Sequence, residues 1–171
     1  SIADHCELFV CFGGLVLANG QMGNGGTGRH IQREGFRAAV EAGVKFVNIS
    51  PRRQDMEPPA DPVWMPVRPN SDTAMILALC HTLRAEGLVD TDFVARCTTG
   101  YDRFAGYLDG SEDGLVKDAD WAAGLTGIAA EDIHRLAREM AAKRTMVSIS
   151  WALTRQQFGE QPYGAAIWRA A

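Results

Sequence analysis

The sequence predicts an α/β domain built on a mainly parallel sheet, and three observations carry that prediction. Short apolar runs rich in β-branched and aromatic residues fall at 8–12, 45–49 and 145–149. Stretches with helical spacing of apolar residues separate them. Each run stops at glycine or serine: Gly13-Gly14, Ser50-Pro51 and Ser150. Strands that alternate with helices pair in parallel, because only a crossover returns the chain in the same direction.

In order along the chain, Leu8-Phe9-Val10-Cys11-Phe12 reads as a buried strand and is followed by a glycine-rich loop to Gly28. Seven of the 18 glycines lie in 13–28, so the excess is local, as in a backbone that turns with positive φ or approaches something closely. Ile31, Phe36, Ala39 and Val40 give a helix closing at Gly43, and 45–49 a second strand. Residues 51–63 hold four prolines and read as loop, with a short third strand at Trp64-Met65-Pro66-Val67. Ser71 reads as an N-cap with Asp72 in the first turn of a helix carrying Ile76, Leu79, Cys80 and Leu83, which stops at Gly87. Residues 90–126 are helical in pieces broken at Gly100, Gly110 and Gly114. Ile133, Leu136, Ala137 and Met140 mark another helix before the last strand, and a final helix begins near the end.

Composition excludes several classes. With 46% hydrophobic and 22% charged residues, the chain is globular rather than disordered or collagenous. A net charge of −4 gives no nucleic-acid footprint. The cations are skewed, however: fourteen arginines against Lys45, Lys117 and Lys143. Arginine suits bidentate contact with phosphate or carboxylate, so a phosphate-bearing small ligand stays open. Cys6, Cys11, Cys80 and Cys97 have no paired spacing and read as small buried hydrophobes or free thiols; the four histidines are scattered, so no metal site is expected from this chain. No leader or membrane-spanning run is present, and both ends read as cut, which marks the chain as an excised piece of something longer.

Open parallel sheets bind ligands at the carboxyl ends of their strands. Three such ends carry suitable chemistry: Gly13-Gly14 with its loop, Ser50-Pro51-Arg52-Arg53-Gln54-Asp55, and Trp151 through Arg155 to Gly159-Glu160-Gln161. The bland reading of each is a solvated connection, and of Trp64 and Trp151 a core position. Gly23-Asn24-Gly25-Gly26-Thr27-Gly28 matches G-x-G-x-x-G, but about ten residues late for a dinucleotide fingerprint and with no acid at the end of the second strand, where Asn48-Ile49-Ser50 stands. Ser50 with Arg52 and Arg53 could instead hold a 2′-phosphate, so an NADP-binding domain of a dehydrogenase is one alternative. A non-catalytic nucleotide-binding module is another.

Taken in order, the segments Phe12-Gly13-Gly14 with Asn19 and Gln21, Gly28-Arg29-His30, Ile49-Ser50-Pro51, Arg68-Pro69-Asn70-Ser71-Asp72, Cys97-Thr98-Thr99-Gly100-Tyr101, Lys117-Asp118-Ala119-Asp120-Trp121 and Ser150-Trp151 to Gly159-Glu160-Gln161 resemble the dimethyl sulfoxide reductase family of molybdenum enzymes. The branch is that of biotin sulfoxide, dimethyl sulfoxide and trimethylamine N-oxide reductases, which are bacterial. The resemblance runs from Glu7 to the end. It implies a three-layer, Rossmann-like domain over residues 1–171, binding one nucleotide arm of bis(molybdopterin guanine dinucleotide) within an enzyme that reduces S-oxides or N-oxides by oxygen-atom transfer.

The resemblance also implies roles. The loop with Gly13, Gly14, Asn19 and Gln21 would lie along pterin and diphosphate; Ser50, Pro51 and Arg53 by ribose and phosphates; Asp72 on the guanine N1–H and N2–H; Trp151 and Arg155 toward the metal-bearing centre. The serine that ligates molybdenum in the family lies before Ser1, so no residue here is expected to be catalytic and the isolated chain is expected to be inactive. Its expected partners are the remaining domains and an S- or N-oxide substrate, with neither nucleic acid nor membrane; the compartment stays open between cytoplasm and periplasm. Departures are Ala18 where relatives usually carry Lys, Ser50 for Asp or Asn, Thr154 for Gln and Phe158 for His.

Overall fold

A computed structural model describes residues 1–23 and 26–170. They form two compact units: Ser1–Pro66 with Lys143–Ala152, and Val67–Ala142 with Leu153–Ala171.

The first unit holds the sheet. Its strands are β1 (Leu8–Phe12), β2 (Lys45–Ile49), β3 (Val63–Met65) and β4 (Thr145–Ile149). All pair in parallel, in the order β3-β2-β1-β4. Leu8 lies opposite Lys45 and Thr145, and Phe12 opposite Ile49 and Ile149, so three strands end level. β1 is buried along its whole length, which explains why Leu-Phe-Val-Cys-Phe is apolar throughout instead of alternating.

Two helices precede β2: α1 (Ile2–His5) and α2 (Gln32–Glu41). Phe36 and Ala39 of α2 enter a core with Phe9, Cys11, Val44, Phe46, Met56 and Ala60. The Phe46 ring sits 5.5 Å from Phe9 and meets Phe36 edge-on at 5.7 Å. Ile31 and Val40, expected on that face, are 57% and 39% exposed. The helix starts only at Gln32, which leaves Ile31 outside it and Val40 at the rim.

The second unit is helical and is built from the connection between β3 and β4 together with the segment that follows β4. Its centre is α3 (Asp72–Ala85), with ten buried residues; the other helices are α4 (Thr91–Cys97), α5 (Tyr101–Leu108), α6 (Ala119–Thr126), α7 (Ala130–Ala142) and α8 (Gln161–Ala170), and α3 packs against α5, α6, α7 and α8. A helix apolar nearly all round must be central. Gly100 adopts φ +86° at the start of α5 and Gly127 φ +77° at the end of α6. Lys117 is 1% exposed, yet its ammonium reaches the Asp113 carboxylate at 2.5 Å, the Leu115 carbonyl at 2.5 Å and the Tyr107 ring at 4.0 Å, so its charge is compensated.

Ser71 stands at the N-cap of α3 but does not cap it through its side chain; its hydroxyl donates to the Arg68 carbonyl at 2.6 Å. Asp118 does cap α6, accepting from the Trp121 N–H at 2.8 Å. Asp118→Ala is therefore expected to cost about 1 kcal/mol, read as a lower denaturant midpoint at constant slope, with Asp118→Asn close to wild type. Equal midpoints for Ala and wild type would show that the cap contributes nothing.

Candidate functional site at the carboxyl edge of the sheet

From β1 the chain runs outward to β2 and β3 and then returns to β4 on the other side. The connections therefore diverge above the β1/β4 pair, the place where open α/β sheets take their ligands. The ladder continues one residue past the strands. The Gly13 N–H donates to Ile49 O at 2.9 Å, Ser150 N–H to Phe12 O at 2.9 Å, and Ser50 N–H to Met65 O at 3.2 Å. Three polar loops of the first unit thus leave one edge side by side.

Gly13 and Gly14 turn the chain with φ +79° and +78°. The Gly13 N–H points inward to Ile49 O, and the Leu15 N–H to the Asp55 carbonyl at 2.6 Å. A Cβ on Gly14 would overlap the Asp55 Cβ and stand 2.8 Å from its carbonyl oxygen. These glycines let two loops approach each other. Burial pushes the Cys11 thiol up to about 12, which removes it as a neutral-pH nucleophile.

Ser50 is fully buried. Its hydroxyl donates to the Asp55 carboxylate and accepts from the Arg52 N–H at 3.3 Å, while its carbonyl accepts from the Trp64 indole at 2.9 Å. Asn48 is equally buried; its amide reaches the Arg53 carbonyl at 3.5 Å, and its Oδ1 has no partner among the described residues. Arg52 Nε lies 3.7 Å from Asp55 Oδ1, whereas the exposed Arg53 makes no ion pair among the described residues. Pro51 is exposed, as is Asn19 in the 3-10 turn Leu17–Gln21; the Gln21 side chain lies outside the described residues. Ala18 lines a cleft of about 440 Å³ with His30, Arg33 and Glu57. Trp151 is 71% exposed, not core, because it opens the 3-10 turn Trp151–Thr154 that leaves edge strand β4.

The late glycine pattern forms no strand-to-helix turn. Met22–Gly23 pairs antiparallel with Gly26–Thr27, and Asn24 and Gly25 lie outside the described residues. In the second unit, Asp72 is 5% exposed at the first residue of α3, and burial pushes its carboxyl from an ordinary 3.8 up to about 6. Arg155 is exposed in the loop before α8. No three His, Cys, Asp or Glu among the described residues converge as metal ligands, and no helix among them is long and apolar enough to cross a membrane.

No family model matches the chain. Individual proteins do. Biotin sulfoxide reductase of Cereibacter sphaeroides is 41% identical over 171 residues, all of this chain and 23% of the relative. The dimethyl sulfoxide/trimethylamine N-oxide reductase of the same organism is 41% identical over 134 residues, 78% of the chain and 16% of the relative. Trimethylamine-N-oxide reductase of Pasteurella multocida is 51% identical over 98 residues, 57% of the chain and 12% of the relative. This chain belongs to the dimethyl sulfoxide reductase family.

Among solved structures, acetylene hydratase from Pelobacter acetylenicus superposes with a TM-score of 0.72 at 24% identity, covering 98% of this chain and 21% of that one; this likeness concerns the fold alone. The chain thus spans less than a quarter of the length of these family members. Within this segment of the dimethyl sulfoxide reductase family, the sequence reading passed over Asp55 as a site residue. Its signal was faint: an acid three residues after Arg52 in a proline-rich loop, meaningful only once that loop folds back on Ser50 and Gly14.

Proposed function

We propose that residues 1–171 serve as one cofactor-binding domain of a larger molybdenum oxidoreductase, which reduces S-oxides or N-oxides by oxygen-atom transfer. The observation that carries this is the 41% identity to a biotin sulfoxide reductase along all 171 residues. The family names imply a molybdenum cofactor, and we assign this chain one nucleotide arm of its bis(molybdopterin guanine dinucleotide) form. When bound, the metal centre supplies the two-electron chemistry, and this chain binds and orients.

The donor set on the carboxyl edge suits such an arm. Arg53, exposed and without an ion pair among the described residues, offers a planar fork to a diphosphate. The resemblance assigns Asn19 and Gln21 to the pterin and diphosphate side. Gly13 and Gly14 shape the loop, and the Gly13 N–H, bonded to Ile49 O, is not offered to the ligand. Ser50 and Pro51 set the path of the second loop. Trp151 presents an exposed aromatic face that we assign to the metal-bearing end. In the second unit, the resemblance assigns Arg155 to that end and Asp72 to the guanine N1–H and N2–H. Arg33 and His30, in the cleft beside Ala18, offset the lysine absent there. Its partners are the parent's other domains and the oxide substrate; neither a nucleic acid nor a membrane is assigned.

The test uses the full-length protein produced with molybdenum. Stoichiometric metal, guanine nucleotide released by acid, and dye-linked reduction of biotin sulfoxide, dimethyl sulfoxide or trimethylamine N-oxide are expected. Arg53→Gln should weaken GDP binding by the cofactor-free protein about tenfold. NADPH binding without molybdenum would overturn the reading in favour of a dehydrogenase.

A further inference from the structure

We propose that Asp55 is the ribose-binding acceptor of this site, taking a 2′- or 3′-hydroxyl of the nucleotide. The inference rests on the nucleotide-binding reading above and adds to it the group that recognises the sugar. In dinucleotide-binding folds an acid at the end of the second strand accepts from the ribose. Here that strand ends in Asn48-Ile49-Ser50, without one. The fold supplies the carboxylate from five residues further on.

Three contacts hold it there. The Ser50 hydroxyl donates to Oδ2, the Leu15 N–H binds the Asp55 backbone carbonyl at 2.6 Å, and Gly14 leaves room for the Asp55 Cβ. Both loops above the sheet edge therefore converge on one residue. Among the described residues Oδ1 has an ion-pair contact with Arg52 Nε alone, at 3.7 Å, which is beyond hydrogen-bond length, so an acceptor remains. The side chain is 18% exposed and open to solute.

The chemistry selects the ligand. An ionised carboxylate only accepts, and a vicinal diol offers two O–H donors. The bond is charge-assisted, and Arg52 limits repulsion between the carboxylate and neighbouring phosphates. A 2′-phosphate, by contrast, would meet like charge, so this residue disfavours NADP where Ser50, Arg52 and Arg53 alone would accommodate it.

The test titrates GDP, 2′,3′-dideoxy-GDP and ADP into the full-length, cofactor-free protein and into its Asp55→Asn variant. The amide oxygen of the variant still accepts from Ser50, while the charge is lost. The wild type should bind GDP about tenfold more tightly than the dideoxy form. Asp55→Asn should bring GDP down to the dideoxy level and leave the dideoxy form within about twofold. Equal wild-type affinities for the two, or a variant that weakens both alike, would overturn the ribose assignment; the first criterion holds even if the variant does not fold. Equal binding of GDP and ADP, with hydroxyl discrimination intact, would instead strike the guanine reading and leave Asp55 standing. Absence of binding by all three would overturn both.

Discussion

Asp72→Asn is expected to raise stability at neutral pH while lowering preference for guanine nucleotides. Asp72 is 5% exposed, and its carboxyl titrates near 6 when folded, against 3.8 when free. The folded state thus holds the proton more tightly than the unfolded one. Below about pH 4 the group is protonated in both states and costs nothing. Above pH 6 it is ionised in both, and the burial cost is complete. Two pH units correspond to about 3 kcal/mol, lost progressively as pH rises through that window. The neutral amide escapes this cost, so the variant should melt higher than wild type at pH 7, with the two converging near pH 4.

Binding should move the other way. Two carboxylate oxygens match guanine N1–H and N2–H, whereas the amide offers one acceptor and one clashing donor. Hydrogen bonds to a charged group contribute roughly 1.5–3 kcal/mol, so GDP should weaken tenfold or more relative to ADP. In wild type, GDP affinity should increase as Asp72 ionises through pH 6. Melts across pH 4–8 and paired titrations decide the matter. If Asp72 only serves the macrodipole at the start of α3, the variant gains no stability and the GDP-to-ADP ratio does not move.

Gly14→Ala is expected to be among the most damaging single-atom changes in the first unit. An L-residue at φ +78° costs about 1–2 kcal/mol. The added carbon would also overlap Asp55, whose backbone is pinned by Leu15 and whose side chain is held by Ser50. Forced overpacking adds about 1–3 kcal/mol. Gly35→Ala is the control: it lies inside α2 with nothing within 4 Å of the new carbon, and should stabilise by up to about 1 kcal/mol. Denaturant midpoints that place Gly14→Ala within about 0.5 kcal/mol of wild type would refute the tight approach of the two loops.

The strands were legible because burial on both faces leaves a continuous apolar signature, as in Leu8–Phe12. β3 came out as Val63–Met65, since Pro66 has no N–H to extend the ladder. Side-chain roles were less legible. Ser71 has the residue type of a cap, but an Arg68 carbonyl competes successfully for its hydroxyl. Trp151 has the composition of a core residue and the position of an edge residue, and position prevails. At the site, the sequence pointed to the loops after β1 and β2 but not to the Ser50–Asp55 bond that joins them. That bond depends on how 51–60 folds back, with Met56 and Ala60 buried in the sheet core, and local pattern does not encode such a return.

Placing most of the helical unit, Val67–Ala142, between β3 and β4 has a consequence for biosynthesis. β4 begins at Thr145, 79 residues after Pro66 (145 − 66), and its register partner Leu8 lies 137 positions upstream (145 − 8). At about 5–20 residues per second, a ribosome needs roughly 4–16 s to deliver β4 after the other three strands have emerged. Throughout that interval the sheet ends at β1, whose Leu-Phe-Val-Cys-Phe edge displays open N–H and C=O groups and carries no charge or proline to discourage intermolecular pairing. A strand buried along its whole length in the finished protein is thus left as an open edge in the nascent chain until β4 arrives.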